Sequence, residues 1–249
     1  MPVMELPQSS RPVVAAAIVA LIVGVVLVVA SPHFNPFTLV AFFFLSGFFA
    51  DLLTACFHFG FDYIFPYSMP ILGPISREFR AHHGYPTLDP SNALVNMTKG
   101  AYASLPLSLI GIAICATTGS DVWGFLVGGT IVGMSIWALF FHQIHAYAHM
   151  GSHLNADDFN ARVVEIAKLD DLHQQKREFD RLFESVPIPP VIRMLQRFRI
   201  LLNPSVHNLH HVRFESDFSS VNGWSDPFTN PVFGAIARRI KRKHGEPAE

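Results

Sequence analysis

Thirteen of the 249 residues are histidines, and most of them are grouped. The stretch 141–153 carries His142, His145, His149 and His153. On a helix these fall at i, i+3, i+7 and i+11, so they line one face. His207, His210 and His211 share a helix face in the same way. His82 and His83 are adjacent, and His58 stands near the end of an apolar run. With His153 set aside, the groups hold nine imidazoles. Imidazole suits iron, zinc, copper and nickel, whereas magnesium and calcium call for oxygen donors. A zinc ion takes three or four protein ligands, so nine imidazoles exceed one ion and suit two. A histidine-rich dinuclear site at a membrane face points to iron that activates dioxygen, because iron changes redox state and can keep coordination positions open. The expected ligands are His58, His82, His83, His145, His149, His207, His210 and His211, with His142 ranked below them. Asp51, Asp62 and Asn96 are expected behind the imidazoles, fixing their tautomers. No catalytic side chain is expected beyond the metal ligands.

The elements that must position these residues are apolar. Half of the chain is hydrophobic and 15% is charged, against about 25% charged in a soluble domain. Four runs are long enough to cross a bilayer: 13–30, 37–61, 100–118 and 122–141. The first could be a signal peptide, but its apolar core is long and Arg11 alone supplies a preceding charge, which favours a retained span. Asp51 lies inside the second run, where a carboxylate costs about 2.5–3.5 kcal/mol unless it finds a partner within the bundle. Asp51, His58 and Asp62 follow at intervals of seven and four residues and share a face. Gly119, Ser120 and Asp121 alone separate the third and fourth runs, which predicts a tight helical hairpin. Gly128, Gly129 and Gly133 allow close helix packing there.

Proline and glycine in 66–99 read as a loop. The segment 155–184 reads as an amphipathic, solvent-facing helical insert. Phe159, Val163, Ile166 and Leu169 form its stripe, and His173 packs near it. A basic amphipathic helix is expected over 191–202 and a basic helical tail over 232–244. The loops 31–36 and 119–121 contain no Lys or Arg, which puts both termini and every histidine cluster on the cytoplasmic side. The expected architecture is therefore all-α: a single polytopic membrane domain over 1–249, with about four transmembrane helices and a cytoplasmic histidine-rich helical cap.

Cys56 and Cys115 both lie in apolar runs, and no CxxC or GxGxxG occurs. The chain thus encodes no iron–sulfur cluster and no dinucleotide fingerprint. Activation of dioxygen at such a site needs two electrons from outside the substrate, so an external electron donor is expected. The insert and the basic helix 191–202 are the surfaces expected to meet it, since complementary charge speeds encounter. The net charge of −1 gives no sign of a nucleic-acid partner. Competing classes are a zinc membrane hydrolase, which needs fewer histidines, and a haem electron carrier, which places single histidines deep in facing spans.

Several motifs also carry a family resemblance. They are Ala50-Asp51 with Phe57-His58 and Asp62, Phe79-Arg80-Ala81-His82-His83 with Pro86-Thr87, Gln143-Ile144-His145 with His149, His207-Asn208-Leu209-His210-His211-Val212, and Asn222-Gly223-Trp224. In order and spacing the chain resembles the plasmanylethanolamine desaturase family, the Kua/CarF lipid desaturases, over roughly 47–233 with an interruption at 155–186. The resemblance implies a four-span protein with two histidine-bound iron ions and dioxygen as co-substrate. It implies formation of the vinyl-ether double bond of plasmalogen-type phospholipids, with acyl-chain desaturation or lipid hydroxylation as alternatives. The donor it implies is a cytochrome b5-like or ferredoxin-type protein with its reductase, and the expected home is a bacterial inner membrane. His142 stands where the family pattern has asparagine.

Overall fold

A computed structural model describes residues 11–84, 88–149 and 156–244. His153 and the Pro86-Thr87 pair lie outside the described residues. Ten α-helices account for the structure, with no strand among the described residues: α1 (Arg11–Val29), α2 (Pro36–Phe59), α3 (Leu72–Gly84), α4 (Ala93–Thr118), α5 (Val122–Ala148), α6 (Ala156–Ala167), α7 (Leu172–Glu184), α8 (Pro190–Arg197), α9 (Pro204–Arg213) and α10 (Asp226–His244). Four helices are long and apolar enough to cross a membrane: α1, α2 with its extension to Ile64, α4 and α5. The fold is all-α with four membrane-spanning helices.

The residues fall into two compact units, one from 1–50 and 90–143, the other from 51–89 and 144–249. In the first unit, α1 packs on α4 around Val14, Ala17, Ala101 and Leu139. A second cluster gathers Val28, Phe42, Phe125 and Val132. The glycines of α5 serve this packing. A Cβ on Gly128 would lie 2.5 Å from Cys115 Sγ, and one on Gly133 2.6 Å from the Ser46 side chain. Asp121 turns the α4–α5 hairpin by accepting from the backbone N–H groups of Trp123 and Gly124, an N-terminal cap. Helix α4 begins at Ala93, seven residues before the expected start at 100, and α5 runs to Ala148 instead of 141.

The second unit differs from the sequence reading in four places. The segment 66–99 is not all loop, because α3 forms within it. Gly73 and Pro74 sit in the first turn of α3, where proline removes only an N–H that has no intrahelical partner. The insert is not merely solvent-facing. Helices α6 and α7 bury Val163, Ile166, Phe179, Leu182 and Phe183 together, with Leu209 and Val212 of α9 packed against them. His173 is exposed and takes no part in that core. The expected helix over 191–202 stops at Arg197, because Arg199 adopts a left-handed backbone at φ 54. The C-terminal helix starts at Asp226, six residues before the expected 232.

Candidate metal centre

Three backbone features aim the donors. Past Phe59 the second span widens into a π-helical turn, Gly60–Ile64, closed by the Phe65 N–H donating to Gly60 O at 2.8 Å. Arg80 of α3 donates through Nε to Phe61 O at 2.9 Å, and Ser76 Oγ donates to the same carbonyl at 2.6 Å. These bonds dock α3 on the π turn and set His82 and His83 at its last turn. Helix α9 is capped by Asn203, whose Oδ1 accepts from the N–H groups of Ser205 and Val206. Asn208 Nδ2 then donates to Ala148 O at 3.0 Å, tying α9 to the end of α5.

Two groups of donor atoms result. The first holds His82, His145, His149, His207 and His211; the second holds His58, Asp62, His83 and His210. Within each, the ligand atoms lie within 4.8 Å of one another. The adjacent pair His82-His83 gives one imidazole to each group, and α9 serves both. The His83 and His211 rings, one from each group, stack at 4.6 Å.

In the first group the Nε2 atoms of His145, His149 and His207 form a triangle with sides of 3.1, 2.8 and 2.9 Å. Each nitrogen carries either a proton or a lone pair, so a triangle always pairs two alike. Hydrogen bonding alone cannot satisfy it. His82 adds contacts of 3.1 Å to His145 and His149, and His211 one of 3.2 Å to His207. Metal–imidazole bonds of about 2.1 Å set at right angles place neighbouring nitrogens about 3.0 Å apart, which these spacings match. Burial holds His149, His207 and His211 well below the ordinary histidine range, and neighbouring imidazoles push the same way. They are therefore neutral near pH 7, the form that binds metal.

In the second group the ring orientation is defined. His58 Nδ1 faces Phe218 O at 2.8 Å and His210 Nδ1 faces Ser216 O at 2.6 Å. A carbonyl only accepts, so both Nδ1 atoms carry the proton and both Nε2 atoms present lone pairs. Those lone pairs point at Asp62 Oδ2, at 3.4 and 3.6 Å. His83 Nε2 lies 3.2 Å from Asp62 Oδ1. Both Asp62 oxygens are buried without a hydrogen bond. Acceptors facing acceptors in a buried site call for a cation between them. Burial also lowers His83, against the opposing pull of Asp62.

The other sequence candidates fall elsewhere. Asp62 stands among the donors and not behind them. Asp51 touches no imidazole in these contacts. It is fully buried, and its Oδ1 accepts from the N–H groups of Val221, Asn222 and Gly223 at 3.2, 2.9 and 3.1 Å. Its Oδ2 accepts from the Ser225 N–H and Oγ at 2.9 and 2.7 Å. The loop it holds supplies Phe218 O and Ser220 Oγ to His58 Nδ1, so Asp51 acts on the imidazole through that loop. Asn96 donates to Gln143 Oε1 at 2.9 Å, and Gln143 donates to Pro90 O. His142 belongs to neither donor group. Sequence reasoning missed Ser216, Phe218 and Ser220, which act largely through backbone carbonyls that no side-chain pattern encodes. Gly223, at φ 83, was the available signal, since it marks a built turn.

No curated protein and no solved structure matches the chain. Residues 47–166 match the family model described as the lipid desaturase domain, a stretch that includes His58, Asp62, His82, His83, His145 and His149 but ends before α9. Two donor groups suited to a binuclear metal centre, in a four-span chain carrying this match, are consistent with a di-iron lipid-modifying enzyme.

Proposed function

We propose that the protein is an oxygen-dependent desaturase of membrane lipids, with two iron ions held by the two donor groups. The observation that carries this reading is the pair of adjacent groups, five imidazoles beside three imidazoles and a carboxylate. Five imidazoles exceed the three or four protein ligands of a zinc hydrolase, and clustered donors suit non-haem ions better than an axially ligated haem. When bound, the iron pair supplies the activation of dioxygen. The balance of the reaction is –CH2–CH2– + O2 + 2 e− + 2 H+ → –CH=CH– + 2 H2O. Two electrons and two protons thus come from a donor system, read here as a cytochrome b5-like or ferredoxin-type carrier with its reductase.

The chain's own residues prepare the site. The neutral imidazoles of the five-histidine group supply nitrogen lone pairs, and Asp62 supplies a negative charge that offsets part of the ions' charge. Phe218 O and Ser216 O lock the tautomers of His58 and His210. Burial of the donors keeps bulk water from competing for them. The substrate read from the family resemblance is an ether phospholipid, with the double bond formed next to the ether oxygen. Acyl-chain desaturation and lipid hydroxylation are the alternatives that the same centre could carry. The histidine groups and both termini are read as cytoplasmic, and a reporter fused after Glu249 that worked only in the exported compartment would overturn that topology.

The test is metal analysis of the purified full chain, followed by turnover in lipid with dioxygen, with and without a reductase and carrier. Two irons per chain and donor-dependent double-bond formation are expected. One zinc per chain would refute the reading, and sustained turnover without a donor would refute the partner. Lipid analysis of a deletion strain separates a missing vinyl ether from a missing acyl double bond.

A further inference from the structure

His83 is the donor of the Asp62 group whose orientation hydrogen bonds leave open. In that group His58 Nδ1 faces Phe218 O, and His210 Nδ1 faces Ser216 O. The second nitrogen of a metal-bound imidazole is normally fixed in this way. His83 Nδ1 is buried, yet no protein group among the described residues bonds to it. A hydrogen bond on that edge therefore does not stop the ring from turning about its bond to Cβ. Such a turn would swing Nε2 away from Asp62 Oδ1 and His58 Nε2, which lie at 3.2 and 3.3 Å.

Two rings lie against its faces instead. The Phe214 ring stacks on His83 at 4.7 Å between centroids and 18° between planes, and the His211 ring does so at 4.6 Å and 18°. Phe214 and His211 make no ring contact with each other among the described residues, which puts them on opposite faces. His58 and His210 meet the ring at steep angles, 73° and 65°. The two stacked neighbours differ in kind. His211 is itself a donor of the five-histidine group, so its ring answers to the other ion. Phe214 has no donor atom, so its contact with His83 is the part of the column that takes no metal.

The backbone holds Phe214 in place. It ends α9, its N–H donating to His210 O at 2.8 Å and its backbone left-handed at φ 56. That ending is an ordinary one, and glycine is its usual residue. What glycine would lack is the ring on His83. The Phe214 carbonyl accepts a hydrogen bond from the Tyr63 hydroxyl. Tyr63 follows Asp62 in the π turn, and its ring packs on Phe59 and Phe218 at 5.4 and 6.1 Å. One strut thus ties the residue that stacks on His83 to the turn that carries the carboxylate His83 faces.

We propose that Phe214 is a positioning residue for the metal centre: its ring, braced by Tyr63, holds His83 flat against His211 so that His83 Nε2 stays aimed at Asp62. Stacking does for His83 what the carbonyls of Phe218 and Ser216 do for His58 and His210.

This role rests on the metal-centre reading above and is tested by metal affinity, not turnover. A chain that binds no metal would refute that reading, whereas two sites at wild-type affinity without the ring would refute the role of Phe214 alone.

The metal-free full chain in detergent micelles is titrated with zinc(II) by calorimetry, and the Asp62 group is identified as the site that His210→Ala weakens. Phe214→Leu keeps apolar bulk but loses the flat face. It should weaken that site by about three- to tenfold, the contribution of one aromatic pair, and leave the five-histidine site at wild type. Phe214→Gly accepts the left-handed backbone and should match Phe214→Leu, which separates loss of the ring from any effect of the cap. Phe214→Tyr keeps the stack and should hold wild-type affinity. A double-mutant cycle then isolates the route of action. His83→Ala leaves His58, Asp62 and His210 as donors, and in that background Phe214→Leu should change the affinity by less than about twofold. A general structural role would give the same loss in both backgrounds. Wild-type affinity in Phe214→Leu, an equal loss with and without His83, or a loss in Phe214→Tyr as large as in Phe214→Leu would overturn the proposal.

Discussion

Asp51→Asn is the most informative single change. The side chain keeps its shape but loses one acceptor. One oxygen can still take the N–H groups of Val221, Asn222 and Gly223, while the amide nitrogen now faces the Ser225 N–H. A buried N–H without a partner costs about 1–3 kcal/mol. The three surviving bonds lose their charge assistance and about half their strength. Relief from burying a charge in a fully enclosed site offsets part of this. The net expectation is about 2 kcal/mol against the closed loop, or roughly thirtyfold in its population. Opening the loop withdraws Phe218 O and Ser220 Oγ from His58 Nδ1. The group containing Asp62 therefore weakens for metal by up to about thirtyfold, whereas the five-histidine group does not depend on that loop. Chelator competition on the purified protein should release one ion per chain from the variant at concentrations that leave wild type with two. Hydrogen exchange at residues 221, 222, 223 and 225 should accelerate in parallel. Loss of both ions together, or retention of both at wild-type affinity with faster exchange in the loop, would refute the coupling.

Single-donor replacements should divide by group. His149→Ala or His207→Ala should lower occupancy of the five-histidine group first, His210→Ala that of the other, and each should abolish activity without preventing membrane insertion. His142→Ala and His173→Ala should leave the metal count at wild type, measured by elemental analysis. Asp62→Asn should lower metal affinity yet raise the melting temperature of the metal-free protein, because an amide donates to the imidazole lone pairs that a carboxylate opposes. Asp226 gives a pH dependence of known sign. Its folded value is raised from 3.8 to about 7, so the folded state holds the proton more tightly. Its contribution is fully present below about pH 3.8 and lost as pH rises through about 7. Asp226→Asn should therefore stabilise the protein at pH 8, by up to about 4 kcal/mol, and change little at pH 4. Equal effects at both pH values in denaturant titrations would contradict that sign.

Most of the donor set was legible because imidazole is chemically distinctive and helical spacing reports a shared face. The i, i+3, i+4 spacing of His207, His210 and His211 gathers the side chains on one side of α9, and a one-turn separation does the same for His145 and His149. What stayed hidden depended on backbone detail. Asp62 was placed on the face of His58, but its approach to His58, His83 and His210 occurs in the π turn after Phe59, which side-chain periodicity does not encode. Helix α3 was hidden by Gly73 and Pro74, which read as loop but are tolerated in a first turn. The charged composition of 155–184 masked a narrow apolar stripe, and burial depends on that stripe more than on mean polarity.

The two carboxylates of the second span show how a buried charge reveals its task. Asp51 and Asp62 are eleven residues apart on one continuous helical segment, and both sit among imidazole-bearing elements. Asp51 is surrounded by donors: four backbone N–H groups and a hydroxyl converge on it. It needs nothing further, so its work is structural, and it is done on the loop that orients His58. Asp62 receives no hydrogen bond from any backbone N–H, and the proton on each of two neighbouring rings is committed to a carbonyl on the far side. Those carbonyls, Phe218 O and Ser216 O, flank the turn that begins the Asp51-bound loop. The arrangement that satisfies Asp51 thus helps to keep Asp62 unsatisfied, by holding His58 with its lone pair inward. A site that spends one buried carboxylate to keep another in need of a cation is organised around that cation, and this internal asymmetry separates a metal site from a chance gathering of histidines.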